Sequence, residues 1–140
     1  MKVYVDTGFY VARIMPRDQW HAEAVKAVHP GMTFFTSSLV INEVSSLLQA
    51  RGYLSAALEF LERIRQNEKV SIVYPDLKLQ GEGWDLFVKR RGSGASAVDC
   101  TSFAIMHRLG IQLALSLDSD FRAAGFETLQ GWSILDLNVH

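Results

Sequence analysis

"KVYVDT", Lys2 to Thr7, and "LALSLDSDF", Leu113 to Phe121, decide the fold. Each is a short apolar run that stops at an acid, Asp6 in the first and Asp118 in the second. Similar runs recur between them at "TFFTS", Thr33 to Ser37, and at "VSIVY", Val70 to Tyr74, the latter closed by Pro75. Segments with helical spacing separate the runs. "TGFYVARI" follows Asp6, and "DQWHAEAVKAV" sets Trp20, Ala24 and Val28 on one side with Asp18 as its expected N-cap. "LVINEVSSLLQAR" is expected to be capped by Ser37 or Ser38 and to end before Gly52; "YLSAALEFLERIRQN" is strongly amphipathic. "DLKLQGEGWDLFVKRR" is helical with Gly81 and Gly83 weakening it, and the loop "GSGAS" leads into a helix at "AVDCTSFAIMHRLG". A short helix at "DFRAAG" and a fifth strand at "SILDL", Ser133 to Leu137, complete the expected order. Strands alternating with helices argue for an α/β fold with a mainly parallel sheet of four to five strands.

Composition limits the function. The 140 residues are expected to form one domain, 1–140, around one core. A content of 49% apolar and 21% charged residues excludes a disordered tail. The net charge of −1 gives no general nucleic-acid signal, so any such contact must come from a local patch. Cys100 is the one cysteine, which rules out an internal disulfide and fits a reducing cytoplasm. Asp6 and Arg13 interrupt the first apolar run, so no signal peptide is expected there. No apolar stretch approaches the ~20 residues that span a bilayer, so a membrane is not an expected partner.

Ligands of open α/β sheets bind beyond the carboxyl ends of the strands, where Asp6 and Asp118 fall. Two helical acids join them in the argument. A step of about 100° per residue sets Glu43 between Leu39 and Leu47, and Asp99 between Phe103 and Met106, on apolar faces. A buried carboxylate is costly unless it is paired or binds a metal. Each acid also has a structural reading. Asp6 and Asp118 can cap the helices that follow them, Glu43 can pair with Arg51, and Asp99 can favour its helix dipole. Four such acids without matching bases point instead to a hard cation, Mg²⁺ or Mn²⁺. Zinc is disfavoured because the four histidines show no ligand spacing.

The motifs "VDT" at Asp6, "INEV" at Glu43, "AVDCTSFAIM" at Asp99 and "LSLDSDF" at Asp118 resemble those of PIN domains, in particular VapC-type toxins of toxin–antitoxin systems. The resemblance covers nearly the whole chain and implies a three-layer α/β/α sandwich. It implies a Mg²⁺- or Mn²⁺-dependent endoribonuclease with Asp6, Glu43, Asp99 and Asp118 as catalytic residues. Asp6, Asp99 and Asp118 would hold the metal, and Thr7, Ser116 and Asp120 would support them. The chain departs from the family pattern in two places: Gly8 follows Thr7 where Ser or Asn is usual, and Ser116 replaces a usual Thr. The resemblance also implies an RNA substrate, an antitoxin partner and a homodimer, with Tyr53, Leu54, Leu58 and Leu61 as a candidate apolar surface.

Positive charge for RNA is sought in Arg13, Arg17, Lys89, Arg90, Arg91 and Arg122. The aromatic residues Phe9, Tyr10, Trp20, Phe34, Phe35, Trp84 and Phe87 are expected mostly in the core. Competing functions are a catalytically silent RNA- or protein-binding PIN-like module and a haloacid-dehalogenase-like phosphatase. The phosphatase wants a second Asp two residues after the first, where Gly8 stands; a receiver domain wants an acidic pair that is missing.

Overall fold

The computed structural model describes residues 1–128. Its elements in chain order are β1 (Lys2–Val5), α1 (Thr7–Ile14), α2 (His21–Ala27), β2 (Thr33–Ser37), α3 (Ser38–Ala50) and α4 (Leu54–Gln66). There follow β3 (Val70–Val73), α5 (Leu77–Lys89), α6 (Ala97–Leu109), β4 (Leu113–Leu115), α7 (Ser119–Ala123) and β5 (Glu127–Thr128). The five strands form one sheet in the order β3-β2-β1-β4-β5, and every pairing is parallel.

The period-two alternation of β1 explains the layers. Val3 and Val5, with Leu113 and Leu115 of β4, face Phe9 and Ala12 of α1 and Ala24 and Ala27 of α2. Tyr4 and Ala114 point the other way, toward Leu79 of α5 and Phe103 and Met106 of α6. Helices therefore cover both faces, as the alternating sequence implied. A further cluster joins Val11 of α1, Val44 and Leu48 of α3, and Phe60 and Ile64 of α4. Each fully buried side chain of this size contributes about 1.5–3 kcal/mol.

The sheet order fixes where a site can form. The chain leaves β1 toward β2 and β3 on one side, then returns to place β4 and β5 on the other. The reversal lies between β1 and β4, the switch point where such sheets open a crevice at their carboxyl ends. Asp6 directly follows β1, and Ser116 directly follows β4.

Several elements differ from the sequence reading. Asp18 does not cap α2; its Oδ1 accepts from Trp20 N at 2.8 Å in a turn, and the helix begins at His21. β4 stops at Leu115, short of Leu117, because the chain turns there to bring Ser116 Oγ onto Asp118 N. β5 forms at Glu127–Thr128; the strand expected at 133–137 lies outside the described residues. Trp84 and Phe87 are not in the core but exposed on α5. The cause is Gly83, which is buried against α6: a Cβ there would lie 2.9 Å from Thr101 Cα. Leu79, Gly83 and Leu86 form the packed stripe, so Trp84 turns outward. Glycine is in the helix for close approach, at a propensity cost of about 1 kcal/mol.

Candidate active site

The crevice at the switch point is a cleft of about 760 Å³ lined by Asp6, Glu43, Asp99 and Asp118, together with Thr7, Gly8 and Ser96. Asp18, Trp20, Leu47 and Arg51 complete its other wall. All four sequence-derived acids meet here, from four separate segments. A second cavity of about 380 Å³, between α1 and the start of β2, is lined by no carboxylate.

Asp6 is buried at the floor. It stands at the N-cap of α1, yet its side chain makes no capping bond. Instead Ser116 Oγ donates to Asp6 Oδ2 at 3.2 Å. The same hydroxyl accepts from Asp118 N at 3.1 Å, so one serine ties the first acid to the fourth. Asp118 Oδ1 in turn accepts from Asp120 N at 3.0 Å and caps α7. Asp99 closes a capping box at α6: Asp99 Oδ2 accepts from Ser96 N at 3.0 Å, and Asp99 N donates to Ser96 Oγ at 3.1 Å. That bond leaves the second oxygen of Asp99 uncommitted. Behind the acids, Tyr4 and Ser102 share a buried hydroxyl–hydroxyl bond of 2.7 Å, which fixes α6 against β1. Glu43 is half-buried on α3 and pairs with neither Arg51 nor any other base among the described residues.

The electrostatics are those of crowded anions. The Asp6 carboxyl is pushed up to about 7, first by burial and then by the Asp99 charge, with Glu43 adding to it. The Thr7 N–H and the Ser116 hydroxyl pull the other way without prevailing. Asp99 is also raised, first by burial, with the charges of Asp118 and Glu43 contributing. Asp120 is raised by burial and then by Asp118.

The carboxylates of Asp99, Asp118 and Asp120 each offer an oxygen within 4.8 Å of the others. This is the spacing a shared cation needs, and hard oxygen donors suit a divalent ion of the Mg²⁺ or Mn²⁺ type. Asp120, which does not line the cleft itself, stands beside Asp99 and Asp118, and Asp6 is buried in the same cleft as those two. The Thr7 hydroxyl is buried without a partner beside these acids. A Cβ at Gly8 would meet nothing within 4 Å, so the glycine leaves the cleft wall open and answers no packing need.

The basic residues selected from sequence are not at the cleft wall. Arg13 lines the second cavity, and Lys89 lies in a groove between α5 and α6. Arg90 sits over the Phe103 ring at 5.6 Å, and Arg17, Arg91 and Arg122 are exposed on loops and on α7. Arg51, which forms no ion pair with Glu43, is the basic side chain that lines the cleft.

A family model for the PIN domain matches residues 3–127. This chain belongs to the PIN-domain family. Among curated relatives of this PIN domain, the 23S rRNA-specific endonuclease VapC20 of two Mycobacterium tuberculosis strains is 36% identical over 127 residues. That match covers 89% of this chain and 95% of the relative. The crystal structure of M. tuberculosis VapC20, described as a sarcin–ricin loop cleaving toxin, superposes with a TM-score of 0.81 at 33% identity. It covers 89% of this chain and 95% of that one. The PIN fold therefore extends over the elements that carry all the acids.

Proposed function

We infer that this PIN domain is a metal-dependent endoribonuclease of the VapC toxin type. The observation that carries the inference is the convergence of Asp6, Glu43, Asp99 and Asp118 on one cleft, with Asp120 beside Asp99 and Asp118, and with no base in an ion pair with them among the described residues. Such a cluster is costly unless a cation joins it. We assign Asp99, Asp118 and Asp120, with Asp6 beneath them, to hold Mg²⁺ or Mn²⁺. A divalent ion supplies Lewis-acid chemistry there, activating water and balancing charge on the phosphodiester. Ser116 orients Asp6 toward Asp118, and Ser96 orients Asp99. Glu43 faces the same space and is placed to accept a proton from the attacking water.

The likeness to VapC20 supports ribosomal RNA as the substrate class, within a chain that works as one domain in the cytoplasm. It also supports an antitoxin partner. Tyr53, Leu54 and Leu58 are exposed at the start of α4 and offer the apolar face suited to that partner or to a second copy; Leu61 is half-buried. Among the described residues no helix is long and apolar enough to cross a membrane. The phosphatase alternative lacks its second acid at Gly8, and the silent-module alternative leaves the acid cluster unexplained. The test is cleavage of ribosomal RNA with Mn²⁺, with chelator, and by Asp99→Asn. Cleavage by the Mn²⁺-loaded wild type alone is expected; equal cleavage by Asp99→Asn would remove the assignment.

A further inference from the structure

Trp20 has the largest side chain lining the acidic cleft. It is 39% exposed and belongs to none of the hydrophobic clusters. Among the described residues its indole makes no ring contact and no hydrogen bond. Its backbone, in contrast, is held firmly. Trp20 N donates to Asp18 Oδ1 at 2.8 Å, and Ala24 N donates to Trp20 O at 2.9 Å. The next residue, His21, is anchored to α1 by a 2.8 Å bond between its Nδ1 and Ala12 O. The result is an aromatic side chain carried on an anchored backbone, part of its surface open to the cleft and free of ring contacts among the described residues, which suits a base-stacking platform.

Arg51 lines the same cleft. Glu43, Leu47 and Arg51 follow one another at four-residue intervals on α3 and its C-cap, so all three line the cleft. Arg51 is exposed and forms no ion pair among the described residues. It is the one Lys or Arg in a lining that includes five carboxylates: Asp6, Asp18, Glu43, Asp99 and Asp118. A polyanion approaching that lining meets a single guanidinium, which suits bidentate contact with phosphate.

We propose that Trp20 stacks an unpaired base of the RNA substrate while Arg51 grips a phosphate of the same strand, which makes these two residues the substrate-binding part of the cleft lining. Bases within a duplex are stacked on one another and offer no free face to the indole, whereas loop bases can be splayed onto it. The proposal rests on the ribonuclease reading and adds a substrate-side wall to it. It assigns these two residues to binding and leaves the acids to chemistry.

The experiment uses the full chain with Trp84→Phe and Trp132→Phe, so that Trp20 is the only tryptophan, and with Asp99→Asn to keep the probe intact. The probes are a short RNA hairpin and a blunt RNA duplex of the same composition, both with Mg²⁺. The hairpin is expected to quench Trp20 emission and the duplex to leave it unchanged. Trp20→Ala is expected to weaken hairpin binding about five- to one-hundredfold, with Trp20→Phe recovering most of it. Arg51→Ala is expected to weaken binding and lower the salt slope by about one. The melting temperature of Trp20→Ala is expected to stay close to that of its parent, because the ring belongs to none of the hydrophobic clusters. Hairpin binding with unquenched Trp20 and unchanged Trp20→Ala affinity would overturn the proposal. So would a Trp20→Ala protein that melts markedly lower, since the ring would then be structural. Cleavage of the same hairpin by chains with Asp99 intact separates the two readings. Cleavage unaffected by Trp20→Ala would remove this proposal alone; neither cleavage nor binding by wild type would remove both.

Discussion

Replacing Asp6 by Asn is expected to make the metal-free protein more stable while abolishing cleavage. Asp6 is 5% exposed. Its carboxyl is raised from 3.8 to about 7 by burial first and by the Asp99 and Glu43 charges after it. Between those values the folded chain keeps a proton that the unfolded chain releases. Stability from this group is therefore full below its unfolded pKa and is lost as pH rises through the folded one. A gap of about 3 pH units at about 1.4 kcal/mol each sets a ceiling of roughly 4 kcal/mol near pH 8. Asn keeps an acceptor for the Ser116 hydroxyl but buries an amide that lacks an assigned partner, at about 1–2 kcal/mol. The net gain is then about 2–3 kcal/mol, or roughly 6–9 °C for a chain of this size. Melting curves in chelator at about pH 8 and about pH 4 measure it, with RNA cleavage in Mn²⁺ run on the same samples. The gain is expected at the higher pH, and at the lower pH it gives way to a small loss of about 1 kcal/mol, because the amide cost remains while the carboxylate penalty has gone. An Asp6→Asn protein that melts at or below wild type near pH 8, or gains equally at both pH values, would refute the electrostatic reasoning.

Ser96→Ala removes the capping box at α6, so a loss of about 1 kcal/mol in denaturant unfolding is expected. Cleavage should fall by more than that loss explains, because Asp99 loses its orienting bond. Asp120→Asn should lower Mn²⁺ affinity about tenfold or more in calorimetry, on the scale found when groups supporting a metal site are removed; unchanged affinity would return Asp120 to a solvated role. Gly83→Ala should cost about 1–3 kcal/mol in chemical denaturation by forcing α5 away from Thr101, whereas Gly81→Ala, with nothing within 4 Å of the new Cβ, should not destabilise.

The parts of this molecule that follow from local periodicity were legible in its sequence. Alternating strands and helices gave the layers, and acids at the ends of β1 and β4 fell at the switch point because parallel topology puts them there. Glu43 and Asp99 were legible because an acid on an apolar helical face is a conflict that needs a partner. What failed depended on which face of an element meets which neighbour. Trp84 and Phe87 looked like core by residue type, but Gly83 rotates the packed stripe of α5 away from them. A glycine in the middle of a helix with apolar residues on two sides was the available signal. Nearness in sequence to the acids does not bring the other basic residues to the cleft lining, whereas Arg51 reaches it two turns beyond Glu43, at the C-cap of α3. Sequence spacing does not show that the tight start of α7 brings an Asp120 oxygen within 4.8 Å of oxygens of Asp99 and Asp118.

The role proposed for these carboxylates is to hold a divalent metal. The most direct test is an anomalous-difference map from crystals soaked in Mn²⁺, wild type beside Asp99→Asn. A peak among Asp99, Asp118 and Asp120, within reach of Asp6 and weakened in the variant, is the expected result. Wild-type crystals saturated with Mn²⁺ that show no peak in this cleft, or a peak indifferent to Asp99→Asn, would contradict it.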